Sequence, residues 1–269
     1  MHPIERLRAV ARASSISPVL AVRETAGAIA AVADDPHALV TAGRRMIDRH
    51  PTAAPLWWFA AWVLTAPDPR AEARRAAAEI EEDPTPRELA HALPDGATVT
   101  VIGWPEMVSS ALLRRGDVEV YVIDVHGDGS SFVNRLHAYD VAAIDVAPEG
   151  LGAAVAASDL VLLEADAVGP TAALARASSR AAAAVARHAG VAVWLAAGVG
   201  RVLPAPMWDA LYARADLDDD PWDADDEIVP LDLVDLIATP LGLRPVAEVL
   251  QAVDCPVAAE LLVDRRDLD

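Results

Sequence analysis

Apolar residues recur along this chain in two rhythms, and the change from one to the other divides it. Up to about residue 93 the rhythm is helical: Leu39, Met46 and Ile47 fall on one face, opposite Arg44, Arg45 and Arg49. Pro3 and Pro18 stand at first-turn positions, Ser17 is placed to cap a second helix, and Asp35-Pro36 opens a third. Between Pro55 and Ala66, Leu56, Trp57, Trp58, Phe59, Trp62 and Val63 cover a helix nearly all round, which predicts burial on every side. The expected role is the core of an N-terminal helical bundle, with a docking surface for another protein as the alternative. Ala71 to Glu82 reads as a helix stopped by Asp83-Pro84, and Thr85-Pro86-Arg87-Glu88 as a capping box that starts one more.

After Pro94-Asp95-Gly96, short apolar runs alternate with helical segments. Val99 to Gly103, Val118 to Asp124, Val141 to Val146 and Leu160 to Leu163 read as strands, with helices over Pro105 to Arg115, Phe132 to Tyr139 and Leu151 to Ala157. Val161 to Ala197 carries the clearest signal. An apolar run passes through Glu164, Asp166, Gly169 and Pro170, enters a long Ala-rich helix that stops at Gly190, and returns to a second apolar run. That order is what a right-handed βαβ crossover requires. Leu233 to Ala238 is the expected last strand and Arg244 to Ala252 the last helix. The predicted fold is α/β: an N-terminal helical domain over residues 1–94, then a Rossmann-like, doubly wound, mainly parallel sheet over residues 95–269. Ligands of such sheets lie just beyond the carboxyl ends of the strands, where Asp166 is expected.

Composition narrows the function. At 269 residues and 54% hydrophobic the chain can bury a full core. Ala53 to Ala66 is too short for a membrane span, which needs about 20 residues, and the charged N-terminus has no signal-peptide pattern. A single Cys255 excludes a disulfide framework and fits a reducing cytoplasm. The formal charge is −19, and all 22 basic residues are Arg. So acidic a surface repels phosphate backbones and argues against broad nucleic-acid binding. It has two candidate origins, adaptation to concentrated salt and GC-rich coding. The run from Leu217 to Glu227 is expected to be a solvated acidic loop, a divalent-cation site being the alternative, although it lacks the spacing of a calcium loop. The seven His residues and one Cys show no metal-ligand spacing, so no metal or cofactor is expected.

The motif DLVLLEADAVGP, followed by a helix and GVAVWLAAGVGR, resembles a known family. It comprises the regulatory alpha, beta and delta subunits of eukaryotic initiation factor two-B, the methylthioribose-1-phosphate isomerases and the archaeal ribose-1,5-bisphosphate isomerases. Its members typically read "LVGADAV", a loop with "NK" and "GT", an Ala-rich helix, then "VPVYVAAESYKF". Asp166 falls on the family Asp, Val168 on its apolar position and Arg201 on the Lys after "VAAESY". VEVYVID at Val118 to Asp124 resembles the family's "FEVYVTE", and Glu227 to Pro245 resembles "YVPPELVTLLITEEGVLTP". The resemblance spans about residues 95 to 250 and implies a sheet domain that mediates homodimers.

Departures from the pattern bear on activity. The isomerases resemble one another in using a Cys as proton shuttle with the loop Asp as its partner, whereas Cys255 lies in a C-terminal segment. The family's "NK" falls on Arg176-Ala177 and its "GT" on Ser179-Arg180, and the Arg of its "ESRP" segment has no clear counterpart at Asp124 to Gly127. Glu164 replaces a Gly and adds a like charge beside Asp166.

The expectation is therefore a regulatory, non-catalytic protein that self-associates and holds a small phosphorylated metabolite or nucleotide. The alternative is an aldose-ketose isomerase of a phosphorylated pentose. Asp166 is the candidate acid or base, with a helix cap or loop role as its structural alternative. Arg176, Arg180 and Arg201 are the candidate phosphate clamp, or else partners of surface acids. Gly103, Glu164 and Gly198 complete the expected ligand-binding set, and His126 is read as a loop residue. Gly198 and Gly200 fall short of a dinucleotide fingerprint, and Gly103-Trp104-Pro105 is no P-loop.

Overall fold

A computed structural model describes residues 32–262, except 216 and 218–221, together with Val22, Ala26 and Ile29. The helix starts expected at Pro3, Ser17 and Pro18 lie outside the described residues. Asp35 opens α1 (Pro36–Arg49) as expected, its carboxylate accepting the His37 and Ala38 amides at 3.0 and 3.1 Å. In α2 (Ala54–Thr65), Trp57, Trp58 and Phe59 are all buried, as a helix apolar on every side must be. The amphipathic α3 (Pro69–Glu81) packs on it through Ala73, Ala76 and Ile80.

The capping box expected at Thr85 does not form. Thr85 is already inside α4 (Thr85–Ala92) and fully buried, and the Asp83 carboxylate accepts both its amide and its hydroxyl, at 2.9 and 2.6 Å.

The sheet comes next, as β1 (Thr98–Ile102), α5 (Glu106–Arg115), β2 (Glu119–Ile123), α6 (Gly129–His137), β3 (Ala142–Val146) and α7 (Leu151–Ala156). Then come β4 (Leu160–Val168), β5 (Ala172–Arg176), α8 (Ser179–Ala189), β6 (Ala192–Ala196) and α9 (Ala205–Ala215). The last elements are β7 (Asp226–Pro230), β8 (Leu236–Thr239), β9 (Gly242–Pro245), α10 (Val246–Gln251) and α11 (Ala259–Leu262). The main sheet runs β3-β2-β1-β4-β6-β8-β9, parallel throughout except for the antiparallel edge strand β9. Strand order reverses between β1 and β4, so the winding changes face there. Alternate residues serve the two faces: Leu160 and Leu162 join the core under α4, α5 and α6, while Val161 and Leu163 join that under α7 and α8.

The stretch after Leu163 differs from expectation. β4 continues to Val168, leaves the parallel sheet beyond Glu164 and pairs antiparallel with β5, which pairs in turn with β7. The Ala-rich stretch before Ser179 is thus a strand flanked on both sides, and the helix begins only at Ser179. Helical propensity loses here because a helix in that place would leave the backbone of Ala165–Val168 and β7 without partners. Gly169 makes the corner possible, since a Cβ there would fall 2.1 Å from Cδ2 of Trp208. Three other readings are corrected: the Pro-containing stretch after Arg201 includes α9, the end of the acidic run forms β7, and Arg244 lies in β9 rather than in the last helix.

Candidate functional site

The reversal of strand order between β1 and β4 marks the carboxyl ends where a doubly wound sheet places its ligand site, and the side sheet of β5 and β7 adjoins β4 there. In the β4–β5 pairing Ala165 faces Ala175 while Ala167 faces Leu174, so Asp166 is the additional residue of a β-bulge. Bulges re-aim side chains and interrupt pairing. On the far side of β5, Asp226 of β7 is paired with Arg176. Arg176 lies over Gly103 at the end of β1. Gly103 has φ +58°, and a Cβ there would sit 3.0 Å from Cδ of Arg176, so the guanidinium stem crosses space that only glycine leaves open. Its Nη1 is 3.9 Å from Oδ2 of Asp128.

Arg201 enters from the loop after β6 and is itself buried. Its Nη2 is 3.2 Å from Oε1 of Glu164, and Nη1 donates to the Ala165 carbonyl. The other oxygen of Glu164 accepts the Met107 and Val108 amides at 2.8 and 3.1 Å, which closes the N-terminus of α5. Two further helix starts along this edge are closed in the same way: Asp124 accepts the Gly129 amide of α6 at 3.0 Å, and Glu227 accepts the Arg180 amide of α8 at 2.9 Å. Helix N-termini are ready-made anion sites, and here the chain's own carboxylates occupy them.

Burial pushes the Asp166 carboxyl above the usual carboxylate range, with Arg201 and Arg176 pulling against it. Glu164 is raised by burial in the same way, opposed chiefly by Arg201. Asp226 is raised to about 7, first by burial and then by the charge of Asp166, while Arg176 opposes and Asp225 reinforces the shift. Burial raises all three carboxyls, and the charge of Asp166 acting on Asp226 disfavours a further anion beside them.

No protein-family model matches the sequence, and no curated protein matches it. Solved structures do match. eIF2B beta from Chaetomium thermophilum superposes with a TM-score of 0.67 at 20% identity, over 90% of this chain and 86% of that one. The translation initiation factor eIF-2B of Pyrococcus horikoshii OT3 gives 0.70 at 14% identity, over 86% and 92%. A chain of the tetrameric eIF2B-beta2-delta2 complex from C. thermophilum gives 0.71 at 19% identity, over 89% of each. The fold is that of the eIF2B subunits.

Within this eIF2B-type fold, Arg176 crosses over Gly103, Arg201 pairs with Glu164, and Asp166 feels the charge of both arginines. Asp166 lies in a strand, so the alternative role as a helix cap does not apply to it. Arg201 is neither a surface partner nor an open clamp but half of a buried ion pair. Arg180 is exposed on the first turn of α8. Gly198 lies under Asp83, whose Oδ2 would be 2.0 Å from a Cβ at that position and accepts the Val199 amide at 2.9 Å. Cys255 comes after α10, its thiol pushed up to about 12 by burial and by Asp254. His126 approaches Asp225 at 3.7 Å.

Asp226 was missed because it lies near the end of a run of acidic residues that reads as solvent-facing. The apolar pair Ile228-Val229 shortly after it was the available signal for a strand. Asp83 and Asp124 were missed because acceptors of backbone amides outside the first turn of their own helix have no fixed spacing. Among the described residues no helix is long and apolar enough to cross a membrane.

Proposed function

We propose that the chain is an eIF2B subunit-like protein without catalytic activity that works by associating with a second copy of itself. The observation that carries this reading is the occupation of the α5, α6 and α8 N-termini by Glu164, Asp124 and Glu227. An enzyme acting on sugar phosphates needs such amides and a cationic cradle for its substrate. At this edge a small phosphorylated metabolite or nucleotide would find the guanidiniums of Arg176 and the exposed Arg180, but with the carboxylates of Asp166, Asp226 and Asp128 about Arg176, so we rank ligand binding below association. A thiol held protonated and placed after α10 is unsuited to proton shuttling. Association is supported by likeness over nearly the whole chain to a subunit that forms part of a tetramer of beta and delta chains.

The test is to incubate the purified chain with ribose-1,5-bisphosphate and methylthioribose-1-phosphate, follow ketose formation by NMR, and measure molar mass by light scattering. No turnover and the mass of two chains are expected. Turnover that disappears in Asp166→Asn overturns the reading.

One observation favours the isomerase as a second reading. Asp226, near 7 beside Asp166, has the proton affinity a general acid or base needs at neutral pH. Under that reading Asp226→Asn abolishes turnover as thoroughly as Asp166→Asn.

A further inference from the structure

A cleft of about 380 Å³ lies between the helical layer and the carboxyl ends of β6 and β8; of the residues expected to bind ligand, Gly198 lines it, and Gly103, Glu164, Asp166, Arg176, Arg180 and Arg201 do not. Trp58 of α2 and Val249 of α10 supply apolar walls. Leu241, in the turn between β8 and β9, stands at the cleft with 76% of its surface exposed. A large apolar side chain so placed is surface that an apolar body could cover.

Four charged side chains line the same cleft: Glu79, Glu248, Asp254 and Arg244. Arg75 of α3 pairs with Glu79. Arg244 reaches Glu248 only at 3.9 Å, with both side chains more than half exposed. No ion pair within 4 Å joins Asp254 to a cation among the described residues. Four of the hydrogen-bond donors around the cleft are committed elsewhere. The Trp58 indole N–H donates to the Asp254 carbonyl at 2.5 Å, the Ala197 amide to Ala238 at 2.9 Å, the Val199 amide to Asp83 at 2.9 Å, and the Thr239 hydroxyl to Gly242 at 2.9 Å. An anion entering here would be met by Arg244 and by Arg75, whose guanidinium lies 5.7 Å from the Trp58 ring and interacts with Asp254, against three carboxylates. A cation would be met by Asp254 and by Glu248.

We propose that this cleft binds an amphipathic organic cation, a primary ammonium or guanidinium carried on an apolar body. The charge turns toward Asp254 and Glu248, and the body lies against Val249 and Leu241. Size and lining fit the general form of small-molecule sites, mostly apolar with a few converging polar groups. The sign of the charge is what selects the ligand. The proposal concerns a site separate from Asp166 and Asp226 and stands whether or not those carboxylates are catalytic.

Calorimetric titration of the full chain with 2-phenylethylammonium, 2-phenylethanol and 3-phenylpropionate tests it. Saturable binding of the ammonium is expected, about tenfold or more tighter than either comparator. Asp254→Asn combined with Glu248→Gln should remove that preference, and Val249→Trp, which fills the cleft, should abolish binding. Leu241→Ser, on an exposed turn where folding is not at stake, should weaken all binding and serves if Val249→Trp does not fold. Absence of saturable heat into the millimolar range, equal binding of the three compounds, or an unchanged preference in the double variant overturns the proposal.

Discussion

Arg201 and Glu164 form a buried ion pair, 3.2 Å apart and each about nine-tenths shielded from water, that joins the loop after β6 to the point where β4 leaves the parallel sheet. Glu164 also closes the N-terminus of α5, so one carboxylate ties together three elements. Arg201→Ala strands that carboxylate in a dry site and should cost about 3–5 kcal/mol, measured by urea denaturation. Arg201→Ala with Glu164→Gln should lose less than Arg201→Ala alone, because a neutral amide needs no counter-charge and its carbonyl can still accept from α5. A double variant as unstable as the sum of the single ones would show that the pair does not act as a unit.

Asp226 gives the stability of the fold a pH dependence with a definite sign. Its carboxyl is raised from an ordinary value of 3.8 to about 7, so between those two values the folded chain holds a proton that the unfolded chain releases. This contribution is therefore fully present at low pH and is lost as pH rises through about 7. Asp226→Asn removes the group and should flatten the fall in melting temperature between pH 5 and pH 8. The variant should also be the more stable protein at pH 8. An unaltered pH profile in the variant means that Asp226 titrates as an ordinary exposed carboxylate.

The corner after β4 is tight enough to be tested by a single methyl group. A Cβ at Gly169 would overlap the indole of Trp208, which is buried and stacks on Tyr212 with ring centroids 6.4 Å apart. Gly169→Ala should displace that indole and cost about 1–3 kcal/mol, as overpacking of a filled core generally does. In a Trp208→Leu background the added methyl should cost less. Equal penalties in the two backgrounds would place the strain in the backbone.

How far the sequence announced this arrangement depends on which forces act locally. The all-round apolar surface of α2 and the alternating runs of β1, β2 and β3 were legible because burial leaves a periodic mark. Asp166 was expected at the carboxyl edge, but the bulge that carries it was not, because a bulge depends on pairing with β5, and β5 reads as helix from its alanines. The gathering of Gly103 with Arg176, and of Asp166 with Asp226, arises from strand order, which no local pattern encodes. The pairing of Arg201 with Glu164 likewise depends on where two distant loops end. An arginine in a loop looks the same in sequence whether it faces a ligand or a buried acid.

The surface as a whole should respond to salt. A formal charge of −19 spread over 269 residues repels itself in the folded state more than in the expanded chain, and salt screens that repulsion. Raising KCl from about 0.01 M to about 1 M shortens the Debye length from roughly 30 Å to roughly 3 Å, so exposed acids beyond immediate contact stop sensing one another. The melting temperature should rise over that range, most steeply at the low end where screening changes fastest. Sucrose, which stabilises by exclusion without screening, gives the comparison. A steep rise in KCl alone identifies charge repulsion as the cause. A flat response to KCl would mean that the acidic side chains are spaced widely enough to ignore one another, and the composition would then carry no adaptation to salt.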